Sequence, residues 1–154
     1  YTGYSTLTMA LAMGKDSKIF ALDINRETLQ IAANFWEKAQ VLDYIEVFND
    51  DAINSLENII LKHAETFDIA FIDADKTPYK TYYEYSYQLV RPGGLIIIDN
   101  TLMQGQVIKE DQDVSKYVKS IKQFNEFIYQ DERIEMCLIP IWDGLTLVQK
   151  KPIC

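Results

Sequence analysis

Two nearly continuous apolar runs constrain this chain most: Phe67-Asp-Ile-Ala-Phe-Ile72 and Leu95-Ile-Ile-Ile98, each followed at once by an aspartate, Asp73 and Asp99. A strand that reads apolar on both sides is covered on both sides, which is the condition of a parallel sheet with helices above and below it. Segments of helical length separate the apolar runs. The pattern predicts strands over 18–23, 44–48, 67–73, 94–99, 133–139 and 145–150, and helices over 5–13, 26–40, 52–64, 78–90 and 113–130. Helices in that alternation supply right-handed crossovers. Pro78 suits a first helical turn, where its missing N–H costs nothing. Val90-Arg-Pro-Gly-Gly94 reads as a helix stop and a turn into the next strand. The last two strands are separated only by Pro140-Ile-Trp-Asp-Gly144, too short for a crossover helix, so an antiparallel hairpin is expected at the sheet edge. The expected fold is a doubly wound α/β sheet, mostly parallel, with one antiparallel edge strand in the C-terminal hairpin.

No fixed-period repeat, low-complexity tract or Gly/Ser linker interrupts the 154 residues, so a single domain over 1–154 is expected. The chain opens on Tyr1-Thr2-Gly3 and not on methionine, and a segment upstream is expected. Fifteen basic against twenty-three acidic residues give a net charge of −8. Proteins that live on phosphate neutralisation usually carry the opposite sign, so nucleic acid is disfavoured as a main partner. No apolar run approaches the ~18 residues a membrane helix needs. A single histidine excludes sites built on two or three His ligands. Cys137 and Cys154 form no C-x-x-C and no metal spacing. That usage fits a reducing compartment, the cytoplasm, without a disulfide framework.

The acids carry the functional signal. Asp23, Asp73 and Asp99 each end an apolar strand, and ligands of open α/β sheets bind outside the carboxyl ends of the strands. Asp23 lies 20 residues past Gly3, a spacing at which an acid accepts both ribose hydroxyls of a nucleotide cofactor. An equally open alternative is a solvated aspartate that caps the following helix. Asp51 reads as the N-cap of the helix from Ala52, a role compatible with bordering an adenine that the small Ala52 lets approach. Asp73 with Asp99-Asn100 supplies two carboxylates and an amide oxygen at neighbouring strand tips. Hard oxygen donors suit Mg²⁺, Mn²⁺ or Ca²⁺ rather than zinc. The plain alternative is that Asp-Asn only starts a turn. Lys76, in Asp73-Ala-Asp-Lys76, either serves a proton beside such an ion or is a surface lysine paired with Asp75.

Other residues read as structural. His63 closes a helix, where a cation offsets the dipole. The tyrosines at 79, 82, 83 and 87 fall on one helical face and predict a buried aromatic side. Cys137 alternates within a strand and is expected to be small, apolar and buried. The polar stretch 105–113 is expected to be an irregular lid.

Six motifs in order, Tyr1-Thr-Gly-Tyr-Ser5, Ala21-Leu-Asp-Ile-Asn-Arg26, Phe71-Ile-Asp-Ala-Asp-Lys76, Arg91-Pro-Gly-Gly94, Asp99-Asn-Thr-Leu102 and Trp142-Asp-Gly-Leu-Thr146, resemble the cation-dependent O-methyltransferases of the caffeoyl-CoA and catechol type. The resemblance implies a Rossmann-like methyltransferase sheet, S-adenosylmethionine as cofactor and methyl transfer to a catechol-like vicinal dihydroxy small molecule. It places Gly3 in the cofactor loop, Ser5 at the methionine end of the cofactor, Asp23 at the ribose, and Asp51 and Ala52 at the adenine. Asp73, Asp99 and Asn100 match the family's metal ligands, with Mg²⁺ expected and Mn²⁺ or Ca²⁺ as substitutes. Lys76 matches the proposed catalytic lysine, and Asp75, Gln104 and Tyr117 match substrate contacts. Members have helices and a central first strand before the glycine loop. Those helices imply a homodimer for the full-length protein, and absence of that strand would leave two unpaired strand edges.

The chain departs from the plant caffeoyl-CoA enzymes at Met103-Gln104, where they carry Trp-Asn, and at Ile121, where they carry a second aromatic. Those departures point away from a phenylpropanoid-CoA acceptor. One alternative keeps the chemistry and takes a hydroxylated wobble uridine of tRNA. Another, of a different class, is an NAD-dependent Rossmann oxidoreductase, which gives no reason for Asp73 with Asp99-Asn100.

Overall fold

A computed structural model describes residues Tyr1–Pro152; Cys154 lies outside the described residues. The chain divides into two compact units, Tyr1–Leu56 and the residues from Glu57 onward.

The first unit holds α1 (Tyr4–Met13), β1 (Ile19–Leu22), α2 (Arg26–Lys38), a 3₁₀ turn at Leu42–Tyr44, β2 (Ile45–Phe48) and the start of α3 (Ala52–His63). β1 and β2 pair in parallel, with Ile19 opposite Ile45 and Leu22 opposite Phe48. Parallel neighbours need a crossover, and α2 supplies it. Its apolar residues recur at helical spacing: Leu29, Ala32 and Trp36 are buried on one side. They meet Ala10, Val41 and Ile45 to form the core of this unit. The Asn25 side chain caps α2 by accepting from the backbone N–H of Glu27 and Thr28.

The second unit holds β3 (Phe67–Ile72), α4 (Tyr79–Leu89), β4 (Val90–Asp99), 3₁₀ turns at Met103–Ile108 and Asp111–Asp113, α5 (Lys116–Tyr129), β5 (Ile134–Ile139) and β6 (Leu145–Lys150). Its strands lie in the order β3-β4-β6-β5. β3 and β4 are parallel, whereas β6 runs antiparallel to both β4 and β5. The short 140–144 connection therefore makes the expected hairpin at the sheet edge, with β6 as the reversed strand. Ile96, Ile98 and Val148 in the middle of this sheet are wholly buried. Tyr79 and Tyr83 of α4 pack edge-on against Phe124 of α5, with ring centroids 5.6 and 6.0 Å apart. The buried aromatic side expected of α4 is present: Tyr79, Tyr82 and Tyr83 are all buried.

Three local expectations are corrected. Val90–Gly94 is not a turn but the bulged start of β4: Phe67 lies opposite Val90 and Ile69 opposite Leu95. Proline at 92 pushes Arg91 towards extended backbone, so the strand begins earlier. α5 starts at Lys116 because the Ser115 hydroxyl accepts from Val118 N–H and caps it there, while Asp111–Asp113 forms a separate turn. Cys137 is exposed, not buried. It sits on the outermost strand, where residues 135–138 are all exposed and alternation in sequence does not translate into a covered side.

Candidate active site

Ile72 of β3 lies opposite Ile98 of β4 in a parallel register, so Asp73 and Asp99 leave the sheet at the same end. Asn100 follows with φ 61°, a left-handed conformation that asparagine tolerates better than most residues. Its backbone N–H donates to Asp99 Oδ1 at 2.7 Å. The Asn100 amide oxygen faces Lys76, whose Nζ lies 2.6 Å away.

The Lys76 ammonium sits at the centre of this end. Its Nζ donates to Asn100 Oδ1 at 2.6 Å, to the Tyr79 hydroxyl at 2.7 Å and to Asp73 Oδ1 at 3.3 Å. It also lies 4.9 Å from the centroid of the Tyr79 ring. The Lys76 side chain is 20% exposed against 49% for Asp73. The Tyr79 hydroxyl in turn donates to the main-chain oxygen of Asp99 at 3.2 Å. Burial, and then the negative charges of Asp73 and Asp99, push the Tyr79 phenol above its ordinary value, so it stays a neutral donor. Asp75 faces outward and accepts from the Tyr82 hydroxyl at 2.7 Å.

The loop after Asn100 is buckled onto the hairpin. Thr101 N–H donates to Gly144 O at 3.2 Å and Leu102 N–H to Asp143 O at 2.9 Å. The Asp143 carboxylate accepts from Gln104 N–H. Gly144 has φ 82°, and a Cβ there would meet Leu102 Cγ at 2.5 Å, so only glycine fits under the loop. Met103, Gln104 and Gly105 are all left-handed, which makes the expected 105–113 lid a kinked pair of 3₁₀ turns. Gln104 is exposed on the first of them. Tyr117 is half exposed on the first turn of α5, with Lys116 Nζ 5.1 Å from its ring centroid.

The first unit carries the candidate cofactor residues. Gly3 is left-handed at φ 78° and opens α1, with Ser5 exposed in the first turn. Its carbonyl accepts from Trp36 Nε1 at 3.0 Å. Asp23 follows β1; its Oδ1 accepts from Asn25 N–H at 2.8 Å, and its main-chain oxygen accepts from the Asn49 side chain at 3.0 Å. The helix cap is thus Asn25, not Asp23, because a tight turn at Asp23 places Asn25 at the helix start. Asp51 is the N-cap of α3 as expected: its Oδ1 accepts from Ile53 N–H at 2.8 Å and from Asn54 N–H at 3.4 Å. Ala52 is partly exposed beside it.

The oxygens of Asp73 and Asn100 already converge on one cationic atom, so the donor set fits a hard cation. Among the described residues no cluster of three or more His, Cys, Asp or Glu side chains is assembled to hold a metal; the third donor here is an amide. Sequence reasoning missed Tyr79, Asp143 and Asn49 as organising residues. Tyrosine rather than phenylalanine at a core position was the available signal, because a buried hydroxyl must find a partner.

These features define a class: an α/β protein with an aspartate, Asp23, directly after a strand in one unit and a cluster of oxygen donors at the strand tips of the other. The chain belongs to the O-methyltransferase family, which it matches over residues 1–151. It is 43% identical over 151 residues to probable caffeoyl-CoA O-methyltransferase 2 of Dictyostelium discoideum, covering 97% of this chain and 65% of that one. It is 41% identical over 157 residues to caffeoyl-CoA O-methyltransferase 5 of Nicotiana tabacum, again covering 97% and 65%. The chain therefore spans about 65% of the length of these relatives. The O-methyltransferase of Bacillus cereus in complex with SAH superposes with a TM-score of 0.87 at 31% identity, over 97% of this chain and 70% of that one. The fold is the Rossmann-like, mostly parallel α/β arrangement with an antiparallel C-terminal hairpin. No helix among the described residues is long and apolar enough to cross a membrane.

Proposed function

We propose that the whole protein is an S-adenosylmethionine-dependent, divalent-cation-dependent O-methyltransferase acting on a catechol-like vicinal dihydroxy small molecule. The observation that carries this reading is the convergence of Asp73 and Asn100 on one cationic atom at adjacent parallel strand tips, within 3.3 Å of it. Membership of the O-methyltransferase family favours it over a nicotinamide-dependent oxidoreductase.

Asp73, Asp99 and Asn100 would hold Mg²⁺, or Mn²⁺ or Ca²⁺ in its place. Such an ion supplies Lewis acidity that lowers the pKa of a hydroxyl beside it. Lys76 takes or orients the hydroxyl proton. Asp75, Gln104 and Tyr117 contact the acceptor. In the first unit Gly3 belongs to the cofactor loop, Ser5 receives the methionine end of S-adenosylmethionine, Asp23 the ribose hydroxyls, and Asp51 with Ala52 the adenine. Both helix-cap bonds of Asp51 use Oδ1. The groups proposed to hold the cation stand directly after paired strands, so positioning provides much of the rate in this reading.

The test is methyl transfer to a panel of catechols by the whole protein, with Mg²⁺ and after chelation. Activity is expected to fall by roughly a hundredfold or more on chelation and in Asp99→Ala, the scale of losing a main electrostatic contribution. Undiminished transfer after chelation would refute the cation's role, and preferential methylation of bulk tRNA would replace the small-molecule acceptor.

A further inference from the structure

We infer that the Lys76 ammonium and a divalent cation are mutually exclusive occupants of one oxygen cradle, so that cation binding expels the lysine side chain. This rests on the cation site proposed above and adds an exchange step to it.

The geometry is that of a bound cation. An ammonium has three protons, and three oxygens receive them: Asn100 Oδ1 at 2.6 Å, Tyr79 Oη at 2.7 Å and Asp73 Oδ1 at 3.3 Å. The Tyr79 hydroxyl spends its own proton on the Asp99 carbonyl, which leaves its lone pairs for Nζ. Two of these three oxygens belong to the proposed ligand set. Any hard cation that draws Asp73 and Asn100 to itself takes the acceptors Lys76 is using. It would also sit at contact distance from Nζ, where like charges repel strongly in a partly desolvated place.

Lys76 is suited to such an exchange. It lies in the 73–78 connection between β3 and α4, whose neighbouring residues Ala74, Asp75 and Thr77 are exposed, and its side chain has four rotatable carbons. Seated, it keeps Asp73 and Asn100 at contact distance and so pre-organises the cradle. Released, its side chain becomes available to orient a substrate hydroxyl. One residue thus holds the site together before loading and serves the acceptor after it.

The test uses the whole protein with lysine labelled at ¹³Cε. The Lys76 ε-methylene signal, assigned by its loss in Lys76→Met, is expected to be shifted by the Tyr79 ring and to move to the position of exposed lysines at saturating Mg²⁺. Mn²⁺ titration followed by electron paramagnetic resonance is expected to give at least roughly tenfold tighter binding in Lys76→Met, because the internal competitor is gone. Lys76→Gln serves both measurements if the methionine variant does not fold. A Lys76 signal unmoved by Mg²⁺, or equal Mn²⁺ affinity in variant and wild type, would overturn the exchange and leave the cation site standing. No Mn²⁺ binding by any of the proteins would overturn the cation site itself, and the exchange with it.

Discussion

The Tyr79 hydroxyl lies 3.2 Å from the main-chain oxygen of Asp99, and this bond ties the first turn of α4 to the end of β4, immediately before Asn100. Burial keeps the phenol protonated, so the tie persists across neutral and mildly alkaline pH. Removing the hydroxyl in Tyr79→Phe leaves both the Asp99 carbonyl and one Lys76 proton without this partner. The expected loss is about 1–2 kcal/mol of stability, the usual scale for a buried hydrogen bond removed from one side. Urea denaturation of the two proteins measures it, and an unchanged midpoint would show that the bond contributes nothing.

Asp143 acts on the loop that carries Gln104. Its carboxylate accepts from Gln104 N–H while its carbonyl accepts from Leu102 N–H, holding three successive left-handed residues in place. Left-handed backbone at Met103 and Gln104 costs on the order of 1 kcal/mol each and persists only where the surroundings impose it. In Asp143→Ala the Gln104 amide is expected to exchange its hydrogen about tenfold faster or more, with partial recovery in Asp143→Asn. Amide exchange rates over residues 101–106 check this.

Asp131 makes the clearest pH-dependent contribution. Its carboxylate accepts from Arg133 and from the Tyr83 hydroxyl, and those partners, Arg133 first, pull its pKa down from 3.8 to about 2. A pKa lower in the folded than in the unfolded chain means that the stabilisation is full above the unfolded value and is lost as pH falls through the folded one. Asp131→Asn is therefore expected to be less stable than wild type at neutral pH. The difference is expected to shrink steadily from about pH 4 towards pH 2. Denaturation midpoints across that range give the answer, and a gap that stays constant down to pH 2 would contradict it.

Gly3 is gripped by α2. A Cβ at this position would collide with Ala32 Cβ and come within 2.7 Å of the Trp36 ring, at a φ of 78° that a side chain resists. Gly3→Ala is expected to cost about 2 kcal/mol or more, combining overpacking with backbone strain. Thermal denaturation and the near-ultraviolet signal of Trp36 report it. Wild-type values in both would mean that α1 and α2 part at little cost.

Much of this was legible in one dimension because it rests on local rules. Apolar runs without alternation marked β3 and β4, the five-residue link marked the β5–β6 hairpin, and Asp51 before Ala52 marked a helix start. An aspartate directly after each apolar run was sufficient to bring Asp73 and Asp99 to one end of the sheet, because parallel neighbours present the same ends together. Cys137 was misread because exposure on an edge strand depends on what lies across it, which alternation cannot report.

The partners of the side chains were decided only by tertiary structure. Nothing in the order of residues says that Lys76 reaches Asn100, 24 positions away, rather than Asp75 beside it, or that Asp143 reaches back 39 positions to Gln104. Sequence determined which segments become strands and helices and which chemical groups stand at their tips, since those follow from periodicity and short-range backbone preferences. Packing of α4 and the hairpin against the strand ends then selected among the hydrogen-bond partners, because a long flexible side chain goes where desolvated acceptors converge, and that convergence exists only in three dimensions.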